Sequence, residues 1–254
     1  GEWVLGALRG DFGASYSYSM SVSQMLAGKL PITALLTALA FLLIVVISIP
    51  LGIFTAGHAG GRFDKALTVA NQVLMAVPPF FTGVLLTLIF GLTLRWFTPG
   101  AFVAPEVSFW RSVGYLMFPA VSIALPRIAM TVKLLRTSIL DEAQRDYVRT
   151  SMSRGRSRSG ILYRHVLKNT LVPVLTFLAM TVADLLAGSV VIEQVFAVPG
   201  LGRLLLTSIE GRDEPVARAI VVLLAFAVIL CNLAADLLAR RIDPRLGSGA
   251  GGAA

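Results

Sequence analysis

The chain has 254 residues, of which 56% are hydrophobic and 14% are charged, and its mean hydropathy is +0.79. Soluble domains carry about 25% charged residues, so this composition excludes an ordinary soluble domain and indicates a protein that crosses a membrane several times. The formal net charge of +8 does not favour nucleic-acid binding, because the basic residues cluster beside apolar runs, as orientation signals do in membrane proteins.

Residues 1–29 are polar and are predicted to form an external segment before the first span. A helix of about 20 apolar residues crosses a bilayer, and five stretches of the chain approach or exceed that length. The predicted spans are approximately 30–57, 66–94, 112–135, 169–192 and 216–239. They predict an all-α fold, a helical bundle in the membrane that occupies residues 30–243. Residues 244–254 are predicted to be a disordered tail.

The distribution of lysine and arginine predicts the orientation of the spans. Segments 57–65 and 133–168, with the C-terminus, carry twice as many basic residues as the N-terminal segment, 95–111 and 193–218 together. Because basic loops tend to stay in the cytoplasm, the first set is predicted to be cytoplasmic. The C-terminus is then inside and the start of the sequence outside.

The segment 139–168 is the one long polar and basic stretch between two apolar runs. Ile139, Ala143 and Tyr147 recur at helical spacing and predict an apolar stripe. Gly155 lies in a Ser-Arg-Gly-Arg-Ser sequence that suits a helix end and a turn. Spacing alone leaves two interpretations open: two short helices that contact a cytoplasmic partner, or a basic amphipathic loop held against lipid headgroups.

The sequence contains four motifs, of which the longest is described first. The first comprises Glu142-Ala143, Gly155, Arg164-His165, Lys168-Asn169 and Pro173. The others are Gly10-Asp-Phe-Gly13, the stretch from Glu193 to Gly202 and the stretch from Asp236 to Arg245. Together they resemble the dipeptide, oligopeptide and nickel permeases, a family of ABC importer subunits, and the first resembles the EAA motif of ABC importer permeases. The resemblance covers essentially the whole chain.

The resemblance implies the type I permease fold of ABC importers with six spans, five in this sequence and one before residue 1. It also implies that the EAA segment is a coupling helix that docks in a cleft of a cytoplasmic ATPase. The residues it assigns to ATPase coupling are Glu142, Ala143, Tyr147, Val148, Arg149, Gly155, Arg164 and His165. The sequence contains no Gly-x-x-x-x-Gly-Lys-Ser/Thr stretch, so ATP and Mg are expected on partner ATPases and no cofactor on this chain.

Ionisable groups within spans are costly in lipid and are functional candidates by default. Asp184 lies near the middle of its predicted span with Gly188 one turn on, and Arg127 interrupts another span. All three are predicted to line the translocation pathway, where Asp184 would meet the amino end of a peptide. Other interpretations stay open: Asp184 forms an inter-helix hydrogen bond or an ion pair with Arg127, or Arg127 snorkels towards the cytoplasm.

Glu193, Pro199, Gly200 and Gly202 belong to a predicted outside loop. One interpretation is that this loop closes the outer gate or contacts an external binding protein. A glycine-proline turn that only returns the chain to the membrane is an equally good interpretation.

Two other function classes fit less well. An ion-coupled secondary transporter predicts paired acidic residues near the midplane and often an inverted repeat, but only Asp184 lies deep. An intramembrane enzyme predicts a catalytic constellation within the spans, but both histidines lie in predicted cytoplasmic loops. No metal site is predicted.

The resemblance therefore predicts a multi-pass permease subunit of a bacterial plasma membrane, without catalysis of its own. Its expected partners are a second permease, two cytoplasmic ATPase domains, an external peptide-binding protein and the lipid bilayer, and no nucleic acid. The expected substrate is a peptide, with glutathione and nickel chelates as alternatives.

Overall fold

The computed structural model of the chain describes residues 2–153, 158–162 and 166–242. In these residues the chain is helical apart from loops and one isolated antiparallel bridge between Ala14 and Ser21, so the all-α prediction is confirmed. In chain order the helices are α1 Glu2–Leu8, α2 Val22–Gly57, α3 Arg62–Ala76, α4 Pro79–Leu86, a π-helical segment Thr87–Thr93, α5 Phe109–Ala143, α6 Asp146–Ser153, α7 Arg158–Ile161, α8 Leu167–Val195, α9 Leu201–Glu210 and α10 Glu214–Ile242.

Four helices, α2, α5, α8 and α10, are long and apolar enough to cross a membrane. The described residues contain one further candidate, which α3 and α4 form together with the π-helical segment. These candidates coincide in sequence with the five predicted apolar stretches, but their bounds differ. The helix α2 begins at Val22, within the predicted external segment, and α5 continues to Ala143, so the predicted coupling segment starts inside α5.

The stretch 66–94, predicted as one span, is divided at Pro78 and Pro79. Proline has no N–H to donate and disfavours helical geometry in the residue before it. Val77 is accordingly extended, with φ −83° and ψ 122°, and so is Pro78, with φ −63° and ψ 142°. The stretch is therefore interrupted between α3 and α4.

The chain divides into two compact units, to which α2, α5, α8 and α10 each contribute residues. One unit comprises Gly1–Leu42, Pro78–Ala124 and Val182–Leu230, and the other comprises Leu43–Val77, Leu125–Thr181 and Cys231–Ala254. We call them the first and the second unit.

An aromatic group fills part of the first unit. The ring of Phe97 stacks on Phe118 at a centroid distance of 4.5 Å and also packs against Tyr115 and Phe196. Phe196 is fully buried, and its carbonyl accepts a hydrogen bond of 2.5 Å from the Tyr115 hydroxyl. This group fixes the chain that follows the π-helical segment to α5 and to the end of α8.

The second unit brings α2 and α5 into close contact. A Cβ atom added at Gly52 would lie 2.9 Å from Leu135 Cδ2 and 3.1 Å from Leu135 Cβ, so the glycine permits the approach of the two helices. Leu135 is fully buried. Small residues serve this purpose in membrane helices because they let backbones come close.

We predict that Gly52→Val separates α2 from α5 and lowers the free energy of unfolding by about 1–3 kcal/mol, the usual cost of overpacking. Titration with sodium dodecyl sulfate from mild detergent, followed by circular dichroism, measures this change. The matched control is Gly57→Val in the same helix, since nothing lies within 4 Å of a Cβ atom at Gly57. Equal effects of the two substitutions would contradict this explanation of Gly52.

Candidate functional site

The carboxylate of Glu142, near the end of α5, joins three helices of the second unit. Glu142 is only 8% exposed, and its Oε1 accepts hydrogen bonds from Tyr147 Oη of α6 at 2.9 Å and from Asn169 Nδ2 of α8 at 2.8 Å. Arg145 Nε pairs with its Oε2 at 2.7 Å. We call Glu142, Tyr147, Arg145 and Asn169 the Glu142 cluster.

Burial and the hydrogen bond to the Glu142 carboxylate raise the pKa of the Tyr147 hydroxyl above its usual value. The hydroxyl therefore stays protonated at neutral pH and remains a hydrogen-bond donor to Glu142. A cavity of about 540 Å³ opens beside the cluster and is lined in part by Asp141, Glu142, Asn169 and Pro173.

Several residues predicted to contact an ATPase lie within the chain's own packing. Glu142 is buried in its cluster, and Val148 is 1% exposed, so neither offers a surface in this chain alone. Ala143 and Tyr147 are half-buried, whereas Arg149 is exposed and Met152, which the sequence analysis did not single out, is 41% exposed. Three further residues of the predicted set lie outside the described residues: Gly155, Arg164 and His165.

The predicted pathway residues lie on two helices. Asp184 and Gly188, one turn apart on α8, are both exposed in this chain. Arg127 of α5 is half-buried, and its Nη1 lies 4.0 Å from Met130 Sδ. An exposed acidic residue on an apolar helix fits a pathway or a contact with another chain, and the role of all three residues stays a prediction.

The structure brings Glu193 together with the loop that follows α8, as part of the first unit. Glu193 is fully buried. Its Oε2 accepts hydrogen bonds from the backbone N–H groups of Gly202 at 2.7 Å and Arg203 at 3.2 Å, which are free donors in the first turn of α9. Its Oε1 accepts a hydrogen bond from Thr33 Oγ1 of α2 at 2.6 Å, and the same hydroxyl accepts one from the Leu201 N–H at 2.9 Å. One carboxylate therefore joins α8, α9 and α2.

Gly200, at the N-cap of α9, and Gly202, in its first turn, are both required by close approach. A Cβ atom at Gly200 would overlap the Glu193 carboxylate, and one at Gly202 would overlap the Cα of Val190. Pro199 precedes them and completes the turn. The sequence predicted these residues as a loop, which is wrong for two of them, since Glu193 lies in α8 and Gly202 in α9. It also did not predict that Glu193 caps α9, nor that Thr33 takes part. A gate or a contact with a binding protein at this loop stays a prediction.

Two further buried carboxylates were not predicted as sites. In the second unit, Asp64 at the start of α3 is 3% exposed and forms a bidentate pair with Arg136 of α5, with Oδ1–Nε at 2.6 Å and Oδ2–Nη2 at 2.7 Å. These residues are 72 positions apart, so no local spacing indicates the pair. The only signal in the sequence is that Asp64 follows two glycines, Gly60 and Gly61, just before a predicted span.

The other carboxylate, that of Asp213 in the first unit, precedes α10 and is 1% exposed. It accepts hydrogen bonds from the Ser15 hydroxyl and from the N–H groups of Tyr16 and Ser17. Burial raises the pKa of the Asp213 carboxyl, but these hydrogen bonds and one from the Val216 N–H outweigh it, so the pKa lies below its ordinary value. The carboxylate thus holds residues 15–17 against the start of α10.

The fold is that of an ABC importer permease. The chain superposes on the MetNI methionine ABC transporter, solved in inward-facing conformations, with a TM-score of 0.69 over 86% of this chain and 96% of that chain, at 16% identity. A second crystal form gives a TM-score of 0.67 at 17% identity. The type I permease fold predicted from the sequence is therefore confirmed.

The chain belongs to the family of binding-protein-dependent transport system inner membrane components, which matches residues 48–248. It is 33% identical to the oligopeptide transport system permease protein AppB of Bacillus subtilis, over 96% of this chain and 78% of that protein. It is 34% identical to the probable peptide ABC transporter permease protein y4tP of Sinorhizobium fredii, again over 96% and 78%. The chain is thus a multi-pass membrane permease subunit, which works with an ATPase and a binding protein and is not itself an enzyme.

We predict that Glu193→Ala lowers the free energy of unfolding by on the order of 3 kcal/mol, because it leaves buried donors of α9 and Thr33 without an acceptor. Glu193→Gln costs less, since its amide oxygen still accepts from the Gly202 N–H. The dodecyl sulfate titration measures both. Glu210→Ala, at the exposed end of α9, is the control and is expected to have little effect. Equal losses for Ala and Gln would contradict a capping role.

We also predict a pH dependence from Asp213. Its pKa is lower in the folded than in the unfolded chain, where it is about 3.9, so its stabilisation is complete above about pH 5 and is lost as the pH falls below about 4. The difference in unfolding free energy between the wild type and Asp213→Asn is therefore expected to be smaller at pH 3 than at pH 7. Glu106→Gln, exposed in a loop, should show no such difference. A pH-independent Asp213→Asn effect would contradict the assignment.

Proposed function

We propose that this chain forms part of the translocation pathway of an ABC importer that takes up di- or oligopeptides delivered by an external binding protein. The substrate class rests on the relatives, which carry the names of oligopeptide and peptide transport proteins. A second permease subunit is expected to complete the pathway, and two partner ATPase domains bind ATP and Mg. Family membership argues against an ion-coupled secondary transporter, whereas glutathione and nickel chelates remain alternative cargoes of the same machinery.

The observation that carries the coupling role is the attachment of α6 to the spanning helices. In the amphipathic helix α6, Val148 is buried, whereas Arg149 and Met152 are exposed. Tyr147 and Glu142 fasten it to α5, and Asn169 fastens the same carboxylate to α8. A force on the exposed face of α6 therefore reaches two long helices of the second unit through one buried carboxylate.

The excess of basic residues supports a cytoplasmic position for the α6 side of the chain and for the C-terminus. We propose an alternating-access cycle on this basis. ATP binding closes the partner ATPases and displaces α6, the pathway opens outward to receive a peptide, and hydrolysis restores the inward-open state.

We predict that Arg149→Glu combined with Met152→Asp reduces ATPase stimulation by the loaded binding protein at least tenfold, because it changes the exposed face of α6 and leaves the Glu142 cluster intact. The measurement is ATP hydrolysis by the purified assembly in lipid vesicles. The control is Arg111→Glu, the same charge reversal as at Arg149, placed at an exposed residue of the first unit. Normal stimulation in a fully assembled Arg149→Glu, Met152→Asp transporter would contradict docking through this face.

Uptake into vesicles tests the cargo. The chain is assembled with its second permease and ATPase subunits in lipid vesicles. These vesicles are expected to accumulate a labelled oligopeptide when ATP and the ATPase subunits are inside and the binding protein is outside. Mass spectrometry of the ligand that copurifies with the binding protein identifies the class. Recovery of glutathione or a nickel chelate, with no peptide uptake, would replace the peptide assignment.

A further inference from the structure

The ion pair between Asp64 and Arg136 lies outside the EAA segment, and we propose that it is a positioning pair for energy coupling. It makes the turn before α3 move together with the C-terminal part of α5 when the ATPase displaces α6. This inference rests on the proposed function, because it needs an ATPase that acts on α6.

The geometry of the pair fixes both distance and orientation. The guanidinium of Arg136 donates through Nε and Nη2 to the two oxygens of Asp64, at 2.6 and 2.7 Å. Two parallel bonds of this kind hold the planar groups in one arrangement, which a single contact does not. The Arg136 side chain is 24% exposed and the Asp64 side chain 4% exposed, so water competes weakly for the pair.

The same carboxylate also holds the turn between α2 and α3. The Gly60 N–H donates to Asp64 Oδ2 at 2.9 Å. Gly60 has φ +83°, a left-handed conformation that glycine adopts without steric cost. Through Asp64, Arg136 therefore holds both the turn at Gly60 and the first turn of α3.

Three attachments follow one another along α5 within the second unit. Leu135 packs on Gly52 of α2, Arg136 binds Asp64 of α3, and Glu142 binds Tyr147 of α6 and Asn169 of α8. A displacement of α6 passes to α5 through Glu142, and from α5 to the start of α3 through Arg136. The route consists of packed helices and short polar contacts, the kind of network that carries coupling between sites.

Stability alone is a weak reason for such a pair. Taking two charges out of water costs about as much as their attraction returns, and apolar residues of similar volume often stabilise as well or better. An apolar contact can slide, whereas a bidentate pair holds its register. The pair is therefore suited to transmitting a movement in a defined direction.

Breaking the pair without burying a lone charge tests the proposal. The double variant Asp64→Asn, Arg136→Met is assembled with the partner subunits in lipid vesicles. We expect normal assembly and basal ATP hydrolysis, with at least a tenfold fall in peptide transported per ATP hydrolysed. The control is Glu214→Gln in the exposed Glu214–Arg218 pair of α10, which should leave that ratio unchanged.

A reversible link provides the rescue. Asp64→Cys and Arg136→Cys are combined with Cys231→Ser, which removes the chain's own cysteine, and a bifunctional methanethiosulfonate reagent joins the two thiols. Transport per ATP is expected to be low before linking, to rise at least fivefold with the link, and to fall again when a reductant removes it. A purely structural role does not restore coupling on demand.

Three outcomes would overturn the proposal: an unchanged ratio in the assembled Asp64→Asn, Arg136→Met transporter, loss of assembly that the link restores without restoring the ratio, or full coupling in the unlinked cysteine variant. The wild-type assembly separates this from a failure of the proposed function. If the wild type shows no ATP-dependent uptake, the transport assignment fails. If the wild type transports and the variants match it, only the positioning role fails.

Discussion

Helix ends that are buried leave backbone N–H groups without water, and this structure supplies two such ends with buried carboxylates. Glu193 accepts the free N–H groups at the start of α9 and binds Thr33 of α2. Asp64 serves the turn before α3 in the same way, through Gly60. In each case a carboxylate replaces the water that an exposed helix end would bind, and it fixes the helices around it.

The C-terminal part of α5 contacts α2, α3, α6 and α8 in the second unit. It does so because it presents an apolar, a basic and an acidic side chain in succession. Leu135, Arg136 and Glu142 each bind a different neighbour. Burial of Glu142 changes how the EAA motif is understood in this chain. Its carboxylate fastens the segment to α5 and α8, whereas Arg149 and Met152 are exposed.

The sequence predicted what depends on composition along the chain, and missed what depends on distant pairs. Apolar length located the spans, and the motif order indicated the permease fold. The break at Pro78 was underestimated because prolines within membrane helices are often accommodated, whereas two in succession here leave Val77 and Pro78 extended. The partners of Glu193 and Asp64 could not be predicted, since Thr33 and Arg136 are 160 and 72 residues away. Nor could spacing show that Val148 faces inward.

The Pro78–Pro79 break has a consequence for the solvent around it. Neither proline carries an N–H. The carbonyls of Leu74 and Met75, four residues earlier, therefore accept no helical hydrogen bond from these positions. Within hydrocarbon such carbonyls persist only where protein or water reaches them. If the break lies at membrane depth, lipid alone cannot surround it, and protein or water has to reach these carbonyls.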